Sequence, residues 1–443
     1  MKMNEVKIMN AKEKVYAWID DNQQEVSGLL QKLIQAPSVN PYFDEEEKYK
    51  KEGRAQEVMR AYLNELGMET RFEYPDADEL KAYEGKPGYY ADHTFEDRPN
   101  LIGILKGAGE GKSLFLSGHI DVVQRGGNWT HDPFAADIED GKLYGRGAVD
   151  MKGGIAAMAA ALKAIQMTGL KLKGDVKIGT VVDEEAGGMG SLALVAAGNR
   201  ADACIITEPT NLKIAPLCRG ILWGKLVIEG RAGHIELKQG DWRKGGAVDG
   251  IEKGLLYLKA FGNLNKDWAI HKKHKYMSIP CQINMAEFHA GEYPTTFANH
   301  CEITFDAQYL PVEKDSNGLG SKVKAELEEF VYQVAQTDPW LRENPPHIEW
   351  LVDADCGETL DDQPFFQTVV KSAQSVNPES VIEGIGFHTD MGAFCNAGMP
   401  TMNIGPGDPR LAHHADEFVE INELLQCTKM LASIVMDWCG IAE

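Results

Sequence analysis

His119 and Asp121 stand two residues apart in the string Ser117-Gly118-His119-Ile120-Asp121-Val122-Val123, which closes an apolar run. Side chains at i and i+2 of a strand project from one face, so the two polar groups emerge together. A metal-binding imidazole needs an acceptor for its second ring nitrogen, and Asp121 is placed to be one; two polar residues at a solvent-exposed strand end explain the string as well. Asp150 precedes Met151-Lys152-Gly153-Gly154 and an Ala-rich helical pattern. It fits the N-cap of that helix, and equally a carboxylate that bridges two metal ions. Glu184 and Glu185 follow the apolar string that ends at Val181-Val182-Asp183 and lead into Gly187-Gly188. Adjacent acids repel each other and are costly without cations. One carboxylate that binds metal beside one that acts as general base toward a metal-polarised water makes sense of the pair; a solvated acidic loop is the plain alternative. Glu208 ends another apolar run, Ile205-Ile206-Thr207. His413 and His414 precede Asp416-Glu417, and since adjacent histidines do not easily share one direction, at most one of them serves as a ligand.

Each string is weak alone. Together they present His, Asp, Glu and Glu at strand or turn ends, with a late His. Mixed imidazole and carboxylate donors suit zinc or a similar divalent ion, and a bridging carboxylate suits a two-metal hydrolase. The C-terminal ends of strands are also where open α/β sheets put their sites.

The elements that must position these groups read as follows. The first 36 residues are helical, with Val26, Leu29, Leu30, Leu33 and Ile34 at three- and four-residue spacing before Pro37. Residues 54–66 form a second helix stopped by Gly67, and residues 73–99 are an acidic, aperiodic excursion. The apolar runs 100–106 and 113–117, joined by a Gly-rich connection, read as a hairpin-like pair. That connection contains Gly111-Lys112-Ser113 but has Lys106 where a phosphate loop needs its first Gly, so the phosphate-loop pattern fails. Strands and helices alternate through residue 207, which predicts an α/β layer structure. From about 217 to 333 the pattern becomes alternating strands with two helices, a smaller α+β unit inserted into the first. The expected organisation is therefore residues 1–216 and 334–443 as one α/β domain, with 217–333 as the insert.

Composition narrows the partners. The chain has 443 residues, 43% hydrophobic and 25% charged, as in a soluble globular protein. Its formal net charge of −22 argues against nucleic acid and anionic membranes, which repel an acidic surface. No run approaches the roughly 20 apolar residues of a membrane helix. The N-terminus shows no secretory h-region, and the eight cysteines form no C-x-x-C pair, so a reducing cytoplasm is the expected compartment.

The strings SGHIDVV, NWTHDPFAADIEDGKLYGRGAVDMKGG, DEEAGG, TEPT, GRAGH and AHHADEF occur here in an order and spacing that resembles the M20 family of metallopeptidases and deacylases, particularly the acetylornithine deacetylase and succinyl-diaminopimelate desuccinylase group. The resemblance spans most of the chain. It implies a metal-binding α/β domain with a central mixed sheet flanked by helices, interrupted by a smaller ferredoxin-like α+β domain used for dimerisation. It implies two Zn2+ ions, with Co2+ as a possible substitute. His119 and Glu208 would hold one ion, Glu185 and His413 the other, and Asp150 would bridge them; His413 is chosen over His414 because the family's ligand lies three residues before its Asp/Asn-Glu pair. Asp121 would orient His119. Glu184 would be the general base that activates the bridging water to the attacking hydroxide and later protonates the leaving amine, and His234 would reach into the partner subunit's site to stabilise an oxyanion. The implied substrate is an N-acyl amino acid, with a dipeptide, a peptide C-terminus or a succinyl amide as alternatives, acted on by a cytoplasmic homodimer.

Two departures bear on the substrate. Many members carry Asp-x-Arg near the end of the inserted domain, where the Arg meets a substrate carboxylate; this chain has Asp306-Ala307-Gln308. Desuccinylases carry two consecutive Arg before a Gly, where Cys218 and Arg219 precede Gly220 here. The loss of one cationic contact in the second argues against a succinyl substrate, and both departures bear on the substrate rather than on the metal chemistry. His388, in His388-Thr389-Asp390, replaces a Gly of the family string and either lines the pocket or is structural. A catalytically idle binding protein of the same fold would lack ligands, and none is missing.

Overall fold

The computed structural model describes residues 10–442, so the first nine residues of the expected N-terminal helix lie outside the described residues. The chain divides into two units: residues 1–217, 357–384 and 389–443 form one, and residues 218–356 with 385–388 form the other.

The strands of the first unit, in chain order, are β1 (Glu69–Glu73), β2 (Asn100–Leu105), β3 (Leu114–His119), β4 (Ile138–Glu139), β5 (Lys142–Tyr144), β6 (Val176–Val181) and β7 (Cys204–Ile206). The second unit supplies β8 (Gly220–Glu229), β9 (Ile283–Ala290), β10 (His300–Tyr309) and β11 (His347–Ala354), and the chain returns to the first unit for β12 (Thr401–Asn403) and β13 (Phe418–Glu420).

The central sheet of the first unit has the order β1-β2-β6-β3-β7-β12. β6, β3, β7 and β12 run parallel, while β1 and β2 are antiparallel additions at one edge. The sheet is therefore mixed, and it is flanked by helices as expected. All six residues of β3 are buried, which explains its unbroken apolar character. The helix Lys152–Met167 is buried almost throughout, and its Ala-rich sequence permits close packing against the sheet and against the helix Ile421–Cys439. Gly154 marks the tightest approach: a Cβ there would come within 2.0 Å of the Thr207 carbonyl oxygen beyond β7.

The hairpin reading of 100–117 is corrected. β2 and β3 do not pair, because β6 lies between them, antiparallel to β2 and parallel to β3. Their connection crosses the start of β6, where Gly107 N–H donates to Asp175 Oδ1 at 2.9 Å and Ala108 N–H to the Leu172 carbonyl at 2.9 Å. Two inter-strand spacings of roughly 4.8 Å are within reach of such a link. The N-terminal helical reading becomes two helices, Ala11–Asp21 and Gln23–Ile34; the first begins on a capping box between Asn10 and Glu13.

The second unit runs strand-helix-strand-strand-helix-strand, with helices Gly250–His271 and Ser321–Ala335 as the crossings. Its sheet order β11-β8-β10-β9 is antiparallel throughout, the ferredoxin-like arrangement. It extends past the expected end at residue 333 because β11 completes the sheet, pairing His347 with Val227 on β8.

Candidate metal centre

Parallel strands end together, and that common edge of the first unit's sheet gathers the candidate ligands. His119 is the last residue of β3, Glu184 and Glu185 open the short turn Glu184–Ala186 after β6, and Glu208 lies just beyond β7. Asp150 precedes the helix Lys152–Met167. His413 comes from the loop ahead of β13, and β13 pairs with β5, matching Phe418 to Tyr144. That pairing brings the loop of His413 to the loop of Asp150.

Asp150 lies between two imidazoles. Its Oδ1 is 3.0 Å from His119 Nε2, and its Oδ2 is 3.4 Å from His413 Nε2. Glu184 Oε2 and Glu208 Oε1 are each 3.8 Å from His119 Nε2, and Glu185 Oε2 is 3.3 Å from His413 Nε2. One ligand atom each from His119, Asp150 and Glu185 falls within 4.8 Å of the others. Of the remaining expected residues, His234 belongs to the second unit, where it is exposed and its Nδ1 accepts the Glu236 N–H at 3.3 Å.

Asp121 meets His119 differently from the expectation. His119 Nδ1 lies 3.0 Å from the main-chain carbonyl of Asp121, and its carboxylate Oδ1 stands off at 3.6 Å. The buried carboxylate instead accepts the N–H of Glu184 at 3.2 Å, the N–H of Glu185 at 3.1 Å and Asn40 Nδ2 at 2.9 Å. Asp121 thus fixes the imidazole with its backbone and the two glutamates with its side chain.

Burial pushes the carboxyl groups of Glu184, Glu185 and Glu208 upward in pKa, and neighbouring carboxylates add to the rise. Asp150 goes the other way: burial opposes its charge, but hydrogen bonds from His119 and His413 hold it below the usual carboxylate range. Burial would lower His119, yet Glu184, Asp150 and Glu208 raise it well above its ordinary value. His413, hydrogen-bonded to Asp150 and Glu185, is raised to about 10. Four acids around two imidazoles draw positive charge, a demand that divalent ions are suited to meet. One further observation fits a metal: Glu185 Oε1 is buried with no hydrogen-bond partner among the described residues. An unpaired buried carboxylate oxygen beside an imidazole is an open ligand position.

The sequence reading missed a set of supporting groups. Arg98 Nη2 lies 2.7 Å from Asp183 Oδ1, and His93 Nδ1 lies 2.7 Å from Asp183 Oδ2. Both come from the aperiodic excursion, and the available signal was a histidine and an arginine in an acidic stretch. Arg146 and Glu417 form a second buried pair, Nη1 to Oε2 at 2.6 Å.

Fold and donor set together describe a metallohydrolase, and comparison with known proteins agrees. The chain belongs to peptidase family M20/M25/M40, whose sequence profile matches residues 115–437. It is 29% identical to the N-formyl-4-amino-5-aminomethyl-2-methylpyrimidine deformylase of Halalkalibacterium halodurans, covering 97% of this chain and 98% of that one. It is 27% identical to the acetylornithine deacetylase of Photorhabdus laumondii, covering 86% and 89%. A tripeptidase structure from Staphylococcus aureus superposes with a TM-score of 0.69 at 18% identity, covering 94% of this chain and 98% of the tripeptidase. Its class is that of hydrolases acting on amide bonds. Among the described residues no helix is long and apolar enough to cross a membrane.

Proposed function

We propose that this chain is a dinuclear-metal amidohydrolase that removes a small acyl group, formyl ahead of acetyl, from a primary amine. The observation that carries the reading is the shared carboxylate: Asp150 offers one oxygen to the His119 side and the other to the His413 side. His119 and Glu208 would hold one ion and Glu185 and His413 the other, with Asp150 shared between the two sets. Zinc, or cobalt in its place, supplies Lewis acidity and a polarised water when bound.

The chain's own residues do the rest. Glu184 is spared as a ligand and takes the proton from the attacking water. It then gives that proton to the amine nitrogen as the C–N bond breaks, leaving a carboxylate and a free amine. Burial raises its pKa, which suits a group that must accept a proton and release it again. In this reading the enzyme is a cytoplasmic homodimer, and His234 of the partner subunit stabilises the developing oxyanion.

The choice of acyl group rests on two supports. The deformylase relative matches over nearly the whole of both chains. Gln308 stands where many family members carry the arginine for a substrate carboxylate, and its Oε1 accepts Arg219 Nη1 at 2.6 Å. A substrate without that carboxylate suits the change. This widens the expected N-acyl amino acid to N-acyl amines without an acid group.

Amine release from an N-formylated aminomethylpyrimidine, N-acetylornithine, N-succinyl-diaminopimelate and dipeptides tests the reading, with zinc or cobalt supplied and after chelation. Chelator-sensitive cleavage is expected for the formyl amide first. Preference for the acetyl, succinyl or peptide substrate replaces the acyl assignment, and no cleavage of any of them overturns it.

A further inference from the structure

Asp183 is the residue directly before the two working glutamates, and its own side chain is fully buried. Its carboxylate touches neither imidazole of the metal centre. Oδ2 lies 2.7 Å from His93 Nδ1, and Oδ1 lies 2.7 Å from Arg98 Nη2 and 3.4 Å from Asn40 Nδ2. We propose that His93 and Arg98, both delivered by residues 74–99, are positioning residues that set the directions of Glu184 and Glu185 by clamping Asp183.

The backbone shows why a clamp is needed. Asp183 sits in the left-handed region at φ 72° and ψ 16°, a conformation that disfavours residues other than glycine. Such a conformation persists only when its surroundings over-determine it. Here the Asp183 N–H donates to Glu52 Oε1 at 3.3 Å, and its carbonyl accepts the Gly188 N–H at 2.7 Å. Arg98 is also paired with Glu52, so one guanidinium holds the carboxylate of Asp183 directly and its N–H through Glu52. Beyond the bend, Asp121 takes the N–H groups of Glu184 and Glu185. The turn is thus gripped from two sides, and the side chains of two adjacent residues diverge to different tasks.

The excursion also touches the turn's far end. The His93 ring is stacked between Tyr42, with centroids 4.1 Å apart, and Tyr90, at 5.0 Å. Tyr90 fills the space beside Gly187, where a Cβ would come within 2.2 Å of the ring. His93 is therefore held rigidly enough to locate what it binds. The acidic, aperiodic excursion is thus a scaffold for the catalytic turn.

The proposal rests on Glu184 as base and Glu185 as ligand, and the test separates its failure from theirs. His93→Leu removes the donor; His93→Asn keeps an N–H donor at the position of Nδ1; His93→Gln places it one methylene too far. Two quantities are read on the full chain: Zn2+ affinity by competition with a chelator, which needs no substrate, and kcat with KM on the best substrate of the panel. His93→Leu and His93→Gln are each expected to weaken Zn2+ binding about tenfold. They should also lower kcat about tenfold or more at near-constant KM, since a misplacement of about 1 Å can cost on the order of 100-fold. His93→Asn should recover most of both. If His93→Leu does not fold, the Asn and Gln variants carry the comparison. Zn2+ affinity within twofold of wild type in both His93→Leu and His93→Gln overturns the proposal, whether or not the wild type cleaves any substrate. Equal losses in the Asn and Gln variants overturn it too, because they would make His93 a packing group. A wild type with intact Zn2+ binding but no amide cleavage speaks against the function and leaves the clamp to be judged on affinity.

Discussion

Arg146 and Glu417 lie 271 positions apart in the chain, and they form an ion pair at 2.6 Å that is almost wholly buried. Glu417 uses its other oxygen to accept the N–H groups of Val149 at 2.8 Å and Asp150 at 3.1 Å. Arg146 reaches the carbonyls of His413 and His414, each at 3.2 Å. The pair therefore stitches the loop of the bridging carboxylate to the loop of the late histidine. Arg146→Met would strand a buried carboxylate, at a cost of about 3–5 kcal/mol. Urea unfolding should show that loss, and the zinc-to-protein ratio should fall with it. A variant of unchanged stability and full metal content would show that the loops hold without the pair.

Glu184→Gln separates base from ligand. Turnover should fall by about 100-fold to 10,000-fold, the range of a general base, while two metals per chain remain by elemental analysis. Loss of metal along with activity would make Glu184 a ligand.

Removing metal should destabilise as well as inactivate. An ion that binds only the folded chain adds about 2.7 kcal/mol at 100 times its dissociation constant. The melting temperature should drop on chelation and return with zinc or cobalt. An unchanged melting temperature would mean that the ions add nothing to the fold.

His413 gives a pH signature before metal arrives. Its pKa of about 10 in the folded chain exceeds its ordinary value of 6.5, the effect of Asp150 and Glu185. A base whose pKa rises on folding stabilises fully below its unfolded value and loses that contribution as pH climbs through its folded one. The metal-free protein should thus lose stability between about pH 6.5 and 10, and His413→Gln should flatten that slope. Zinc binding below this range should release protons, visible as a dependence of the binding heat on the buffer's ionisation heat. A binding heat independent of buffer would remove His413 from the ligand set.

His234 is tested by mixing. Inactive His234→Ala and Glu184→Gln subunits should regain activity in heterodimers if His234 serves its partner. Verified heterodimers with no recovery would confine it to its own chain.

Much of the centre was legible in the sequence for a plain reason. His119, Glu184, Glu185 and Glu208 each follow an apolar strand, and parallel strands end at one edge. The Asp121 contact was half legible: the i, i+2 spacing brought it to His119, but the main-chain carbonyl, not the carboxylate, holds the ring. The order β2-β6-β3 was not legible, because β6 comes some 60 residues after its neighbours and nothing in the local pattern of 100–117 announces an intruder. His93 and Arg98 lie in a stretch without periodicity, and only the buried Asp183 gives them a role.

The pairing of β13 with β5 has a consequence for how the protein is made. On the ligand assignment above, His119, Asp150 and Glu208 have all left the ribosome long before His413 is added. At about 5–20 residues per second, the roughly 200 residues between Glu208 and His413 take about 10–40 s to synthesise. During that interval a nascent chain has the donors for one ion and lacks the imidazole for the second. On that assignment the second ion's site would be completed late, when the closing strand β13 is laid along β5.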